Sequence, residues 1–149
     1  MAERLFLENV RIFWTNFRGE ERGKFNPKGK RNFCVEIPQE LVPKLQDEGW
    51  NVKTREFDDG SFRSHISVEL RFDNFPPIIH LVTSRKMTEL NEELVGQLDT
   101  ADISNVDMII NPSTYSDRDT GKTRIKAYLK EMWVTIQDNP FMAKYANYD

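Results

Sequence analysis

Cysteine occurs once in this chain, at Cys34. A lone cysteine excludes an intramolecular disulfide and any multi-cysteine zinc motif, and it suits a reducing compartment. Histidine is nearly as scarce. His65 and His80 are the two present, and with Cys34 they show neither His-Glu-x-x-His nor Cys-x-x-Cys spacing. His80 lies in an apolar run and reads as a satisfied, partly buried residue, whereas His65 reads as lying on the exposed face of its strand. Long apolar stretches are missing too. None approaches the about 18 residues that a membrane-spanning helix needs, and the opening Met-Ala-Glu-Arg-Leu has no apolar signal region. The expectation is a cytoplasmic protein. Repeats, low-complexity segments and linkers are absent as well, so residues 1–149 are expected to form a single domain.

Apolar residues are also in short supply, at 38% against 30% charged, so the core should be lean. Aromatic rings fill part of the gap. Ten Phe, four Tyr and three Trp are more than such a core requires, and some rings should lie on the surface. The net charge of −3 argues mildly against a nucleic-acid partner. Its distribution argues the other way. Between Arg11 and Arg31 stand seven basic residues and two acids, Glu20 and Glu21. That is a local +5, which leaves −8 on the rest of the chain. Salt screens charges beyond about 8–10 Å, so a basic segment on an acidic body can still make a positive groove.

The chain reads mostly as short strands. Residues 3–14 predict a long first strand with a bulge, and 15–31 a loop or loose hairpin. Residues 32–37 predict a second strand and 39–48 a short helix, opened by Pro38 and closed by Gly49. Strands are predicted at 50–57, at 62–72 after the Asp58-Asp59-Gly60 turn, and at 78–84 beyond Pro76-Pro77. Leu90, Leu94, Val95 and Leu98 have helical spacing and predict a helix over 88–98. Residues 105–111 and 122–137 predict the last strands, the final one preceded by a turn at Asp117–Gly121. Six or seven strands with two short helices suggest a mainly β fold with short helices. An OB-fold-like small barrel leads, ahead of other small barrels and α+β sheets.

The last strand carries the clearest functional signal. Side chains alternate between faces in a strand. One face reads Lys122, Arg124, Lys126, Tyr128, Lys130, and the other Thr123, Ile125, Ala127, Leu129. Four like charges on one face repel unless an anion lies across them. A phosphate backbone would do so, and Tyr128 offers a ring on which a base can stack. The competing reading is a solvated face whose lysines guard against edge pairing. After Lys130 the phase reverses, which a bulge near Glu131 or burial on both faces would explain.

The second signal is the basic, aromatic-laced segment 11–31. Phe13, Trp14, Phe17 and Phe25 are interleaved with Arg11, Arg18, Arg22, Lys24, Lys28, Lys30 and Arg31, and Gly19, Gly23 and Gly29 loosen the chain. Phe17 and Phe25, set among polar residues and glycines, read as exposed rings suited to base stacking. The plainer alternative is a loop whose rings tuck onto the barrel. Phe33 alternates with Val35 and Ile37 and belongs to the core, while Trp14 fits either place. Lys53 and Arg55 share a strand face and extend the surface.

Other motifs fail. Thr120-Gly121-Lys122-Thr123 matches the end of a P-loop, but Ser116 stands where the motif needs glycine. Asp99, Asp102 and Asp107 cluster as nuclease metal ligands do, yet turn and capping roles explain them equally well. No nucleophile with its base is recognisable. The reading is therefore a non-enzyme without metal or cofactor.

Four runs, Phe25 to Val35, Gly49 to Lys53, Val106 to Pro112 and Ile125 to Lys130, resemble bacteriophage single-stranded DNA-binding proteins of OB-fold type. The resemblance spans nearly the whole chain. It implies non-sequence-specific binding of single-stranded DNA in replication or recombination: coating exposed strands, shielding them from nucleases and melting hairpins. It leaves open RNA as a ligand, self-association, and contacts with phage or host replication proteins. One departure stands out. Many such proteins end in an acidic, partner-recruiting tail, whereas this chain ends Phe141-Met142-Ala143-Lys144-Tyr145-Ala146-Asn147-Tyr148-Asp149. Two other readings stand beside it. One is a phage protein-interaction module or inhibitor of a host protein. The other is a metal-dependent nuclease using Asp99, Asp102 and Asp107.

Overall fold

The computed structural model describes residues 3–23, 26–73, 75–84 and 86–137. Nine strands join in one sheet: β1 (Leu5–Val10), β2 (Ile12–Asn16), β3 (Arg31–Ile37), β4 (Lys53–Glu56), β5 (Phe62–Leu70), β6 (Ile78–Val82), β7 (Met87–Leu90), β8 (Ile103–Ser116) and β9 (Thr123–Ile136). The main path runs β1-β8-β9-β5-β3-β2. A single residue, Arg11, separates β1 from β2, so the two ends of that path are adjacent in the chain and the sheet must curl. This is the mainly β, OB-fold-like architecture that the strand pattern predicts. No described helix is long and apolar enough to cross a membrane.

Strand β9 is the hub. It pairs with β8 along its length, with β5 at Val68↔Ala127 and Glu69↔Tyr128, and with β6 from Ile78↔Glu131 to Val82↔Thr135. Ile125, Ala127 and Leu129 are buried in its first half, Met132 and Val134 in its second. The phase change falls at a bulge. Ile109 faces Glu131 and Ile110 faces Leu129, so Lys130 is the extra residue. Of the two explanations for the phase change, a bulge near Glu131 or burial on both faces, the bulge is what lets one strand serve the core twice. From the other strands Phe33, Val35 and Ile37, then Ile66, Val68 and Leu70, alternate into the same core.

Two expectations need correction. The predicted first strand is two strands, because the chain bends near Val10. Asn9 adopts a left-handed φ of 54° and the register shifts between Leu7 and Val10. The predicted helix over 88–98 is instead β7 followed by a 3-10 segment, Val95–Asp99. Leu90 pairs with Ile79 across the sheet, and Leu94 is exposed. Asn91 caps the turn between the two, its carbonyl accepting from the Val95 N–H at 2.9 Å and its side chain from the Leu94 N–H at 3.0 Å. The leucine spacing fits a strand end and one 3-10 turn as well as it fits a helix. The helix predicted at 39–48 is a 3-10 turn, Gln39–Leu41, running into α1 (Val42–Glu48). Pro43 lies in its first turn and Gly49 closes it at φ 103°.

The basic segment is held by two buried asparagines. Asn16 Nδ2 donates to the Glu20 carbonyl, and Asn16 Oδ1 accepts the Glu20 N–H, both at 3.0 Å. Asn26 Nδ2 donates to the carbonyls of Glu20 at 2.9 Å and Lys30 at 3.0 Å, while Asn26 Oδ1 accepts from Asn32 Nδ2 at 2.8 Å. The Gly29 N–H adds a bond to the Gly19 carbonyl at 2.7 Å. Buried carbonyls that lose such a donor become costly.

Replacing Asn26 by alanine should therefore destabilise the protein by about 1–3 kcal/mol. Lys28→Ala, an exposed change nearby, should cost less than about 0.5 kcal/mol. Urea unfolding of both variants against the parent checks this, and equal midpoints for the two would contradict it.

Candidate nucleic-acid interface

Period-two alternation turns the strand residues between the core positions outward, and pairing lines them up in rows. One row is Asn32, Glu69, Tyr128 and Asn111, from β3, β5, β9 and β8. The next holds Phe13, Cys34 and Ser67, from β2, β3 and β5. A third holds Glu36, His65 and Lys53, from β3, β5 and β4. These rows form one polar and aromatic face, with cations at both ends.

At the β9 end, Lys30, Asn32, Ser67, Glu69, Tyr115 and Lys126 line a cleft of about 460 Å³ floored by Trp50, Ile66, Ile125 and Ala127. Lys30 Nζ and Lys126 Nζ each lie 3.7 Å from a Glu69 carboxylate oxygen. The cationic stripe is thus not free of acids, because β5 supplies one. Glu69 is the single acid among the described lining residues, and its side chain keeps only 16% of its exposure. Tyr128 lies beneath Arg71 and Lys126, each 5.4 Å from its ring centroid. Arg124 is tied down by Asp117 at 3.1 Å. The Asp119 N–H and the Arg124 guanidinium together hold the Asp117 carboxyl below its usual range. Lys122 is exposed in the adjoining turn and Lys130 is the bulge residue, half-buried.

At the β2 end, a bulge changes which way the rings point. Phe13 pairs with Cys34, and the register then shifts before Asn16. Trp14 occupies the shift with φ 48°, a left-handed conformation unusual for a bulky residue. As a result two successive rings, Phe13 and Trp14, both meet the His65 ring edge-on at 5.3 Å. Trp14 remains 48% exposed. Arg55 stacks over its indole at 4.7 Å, and Arg63 stacks over Phe57 at 4.6 Å. His65 is 5% exposed, so its expected place on an exposed face is corrected: it lies on that face but under the two rings. Burial first, then the charges of Lys53 and Arg55, pushes its pKa below the ordinary value of 6.5. Among the described residues its Nδ1 has no hydrogen-bond partner. Cys34, in the row between the two ends, has its thiol pKa pushed up by burial.

The predicted site residues are scattered by the structure. Phe17 is the clear correction. It is fully buried against Phe33 at a centroid distance of 5.4 Å, because the Asp99 carboxylate accepts the N–H groups of Phe17 and Arg18 and turns the ring inward. Arg31 binds inside the protein, donating to the Phe17 carbonyl and to Glu92, both at 2.9 Å. Arg18 is exposed beside Glu20, and Lys28 is exposed on the loop. Arg11 lines the clefts at the β1–β2 bend and not the one holding Lys126. Lys53 and Arg55 stand on β4 at the Trp14 end. Lys24 and Phe25 lie outside the described residues.

Sequence reasoning overlooked Glu69, Asn32, Ser67 and Arg71. The signal was there, since the residues between Ile66, Val68 and Leu70 are polar. His80 is satisfied and partly buried as expected, its Nε2 2.7 Å from Glu131 and its ring stacked on Trp133. Asp99 holds backbone at Phe17 and Arg18, and Asp107 accepts the Asn9 N–H at 2.8 Å. No group of three or more His, Cys, Asp or Glu residues able to hold a metal occurs among the described residues.

A family model described as a phage ssDNA-binding domain matches residues 1–149. Among solved structures, the fold resembles the single-stranded DNA-binding protein from bacteriophage Enc34. Its complex with ssDNA aligns at a TM-score of 0.57 and 16% identity, covering 93% of this chain and 89% of that one. A second structure of that bacteriophage Enc34 protein aligns at a TM-score of 0.55 and 17% identity, covering 98% of this chain and 90% of that one. No curated protein matches in sequence.

The depressed pKa of His65 has a consequence for stability. The unfolded chain binds a proton near pH 6.5 that the folded chain resists, so stability should fall as pH drops through 6.5 and level off below the folded-state pKa. Urea unfolding between pH 8 and 5 should show this decline, less steep in His65→Gln. Identical pH profiles for the two proteins would refute the assignment.

Proposed function

The chain belongs to the phage ssDNA-binding domain family, and from its face geometry we propose that single-stranded DNA is held without sequence preference in the cleft lined by Lys30 and Lys126 and on the Tyr128 ring beside it. The observation that carries this reading is the pair of lysines sharing one carboxylate beside an arginine-capped ring. Phosphates compete with Glu69 for the two ammonium groups. A base stacks at Tyr128, a contact worth about 1–3 kcal/mol and tolerant of base identity. Partly exposed ion pairs such as these are worth only about 0–1 kcal/mol, so a phosphate can replace them at little cost.

Binding without catalysis is supported by the roles of Asp99 and Asp107, whose carboxylates are engaged by backbone N–H groups. The fitting role is coating exposed strands during phage replication or recombination in the host bacterial cytoplasm, with residues 1–149 acting as one domain.

A fluorescein-labelled oligo-dT should bind at low salt and release steeply as salt rises. Lys126→Glu combined with Tyr128→Ala should weaken binding at least about tenfold, given one stacking contact and a reversed charge. Glu69→Gln should do the opposite, tightening binding and steepening the salt dependence, because it frees both lysines for phosphate. Absence of binding at low salt would defeat the proposal, and a Glu69→Gln variant that binds more weakly would show that the carboxylate is not a competitor.

A further inference from the structure

We propose that Trp14, with Arg55, Lys53 and His65, forms a second nucleobase station at the far end of the same face, so that bound DNA crosses the strands from β2 to β9 rather than following β9. This rests on the single-strand reading above and adds a location, a path and a set of residues to it.

The first ground is the bulge. In a regular strand Phe13 and Trp14 would point to opposite faces. The left-handed φ of Trp14 puts both rings on the outer face, against His65. Such a conformation is strained for a tryptophan, and strain of this kind gathers where a ligand is held. The second ground is exposure in a polar setting. Trp14 keeps nearly half its surface open, yet a guanidinium already stacks on it. Phe13 and His65 pack against the indole at steep angles, and a planar base can stack on its exposed part beside or in place of the guanidinium, with Arg55 left to meet the adjoining phosphate. The third ground is the buried His65 Nδ1, which has no hydrogen-bond partner among the described residues. A buried polar atom without a partner is costly, and a ligand that shifts the covering Trp14 ring would supply one.

The path follows from the rows. From β2 to β9 the sheet crosses β3 and β5, three interstrand steps of about 4.8 Å, or about 14 Å in all. Cys34, Ser67 and Asn32 occupy the ground between the two stations. These three are small and neutral, and the two carboxylates on the same face, Glu36 and Glu69, are paired with Arg63 and with Lys30 and Lys126. A strand must therefore be long enough to reach both stations before it gains full affinity.

The test uses the full chain and labelled oligo-dT of increasing length at low salt. Trp14→Gly removes the ring and at the same time suits the left-handed backbone, so it should not unfold the protein; a thermal unfolding midpoint confirms this. Trp14→Gly should weaken binding of a dT20 about tenfold, while affinity for the shortest oligomers that bind falls less. Intrinsic fluorescence gives an independent readout. Parent protein should be quenched by unlabelled dT20, and Trp14→Phe should lose most of that quenching while keeping much of the affinity. Unchanged dT20 affinity in Trp14→Gly together with undiminished quenching in Trp14→Phe would overturn the second station and leave the site at Lys126 and Tyr128 standing. If the parent protein itself binds no oligonucleotide, the single-strand reading fails and this station with it.

Discussion

The alternation of β9 is the constraint on which everything else depends. Ile125, Ala127 and Leu129 are locked in the core, so Lys126 and Tyr128 have no choice but to face outward. A slip of one residue would bury a lysine among apolar side chains and expose the core. Its neighbours inherit this register. Val68 pairs with Ala127 and Glu69 with Tyr128, which sets β5, and β5 in turn sets β3 from Arg31 to Ile37. Core packing and the binding face are thus two readings of one register. The bulge at Lys130 confines the basic face to the first half of the strand, because beyond it the even positions turn into the core.

Charge is managed by pairing. Glu69 lies between Lys30 and Lys126, Asp117 holds Arg124, and Glu92 holds Arg31. This explains how an acidic chain can present cations in the right place. The partners are not equivalent. Arg31 is half-buried and also bonded to the Phe17 carbonyl, so it acts as a structural clamp. Lys30 and Lys126 share one carboxylate between them, and two ammonium groups on a single acid leave net positive charge at the surface. Pairing that costs little to break favours reversible binding, because each phosphate exchanges one ion pair for another.

The rings divide by backbone rather than by composition. Phe17 and Trp14 are three residues apart in the same basic segment. Asp99 pulls the backbone at Phe17 and Arg18 toward the Val95–Asp99 segment and sends the Phe17 ring inward. Trp14 sits at a bulge that sends its ring outward. Both outcomes depend on long-range contacts, one across 82 residues of chain, so local spacing holds no trace of either. The basic segment is likewise no loose composition, since Asn16 and Asn26 bind its turns together from within.

By itself the sequence determined what is local. Strand alternation made the Lys126–Tyr128 face and its apolar back legible, along with the helix ended by Gly49 and the change of phase after Lys130, because side-chain periodicity is a property of consecutive residues. The runs shared with phage single-stranded DNA-binding proteins made the family legible too. Tertiary structure alone decided which acids and rings join that face. Glu69 reaches the lysines only through the β5–β9 pairing, Trp14 meets His65 only through a register shift against β3, and the leucines of 90–98 leave helical form only because Leu90 has Ile79 to pair with. Strand pairing joins residues far apart in the chain, and no window of sequence contains the partner.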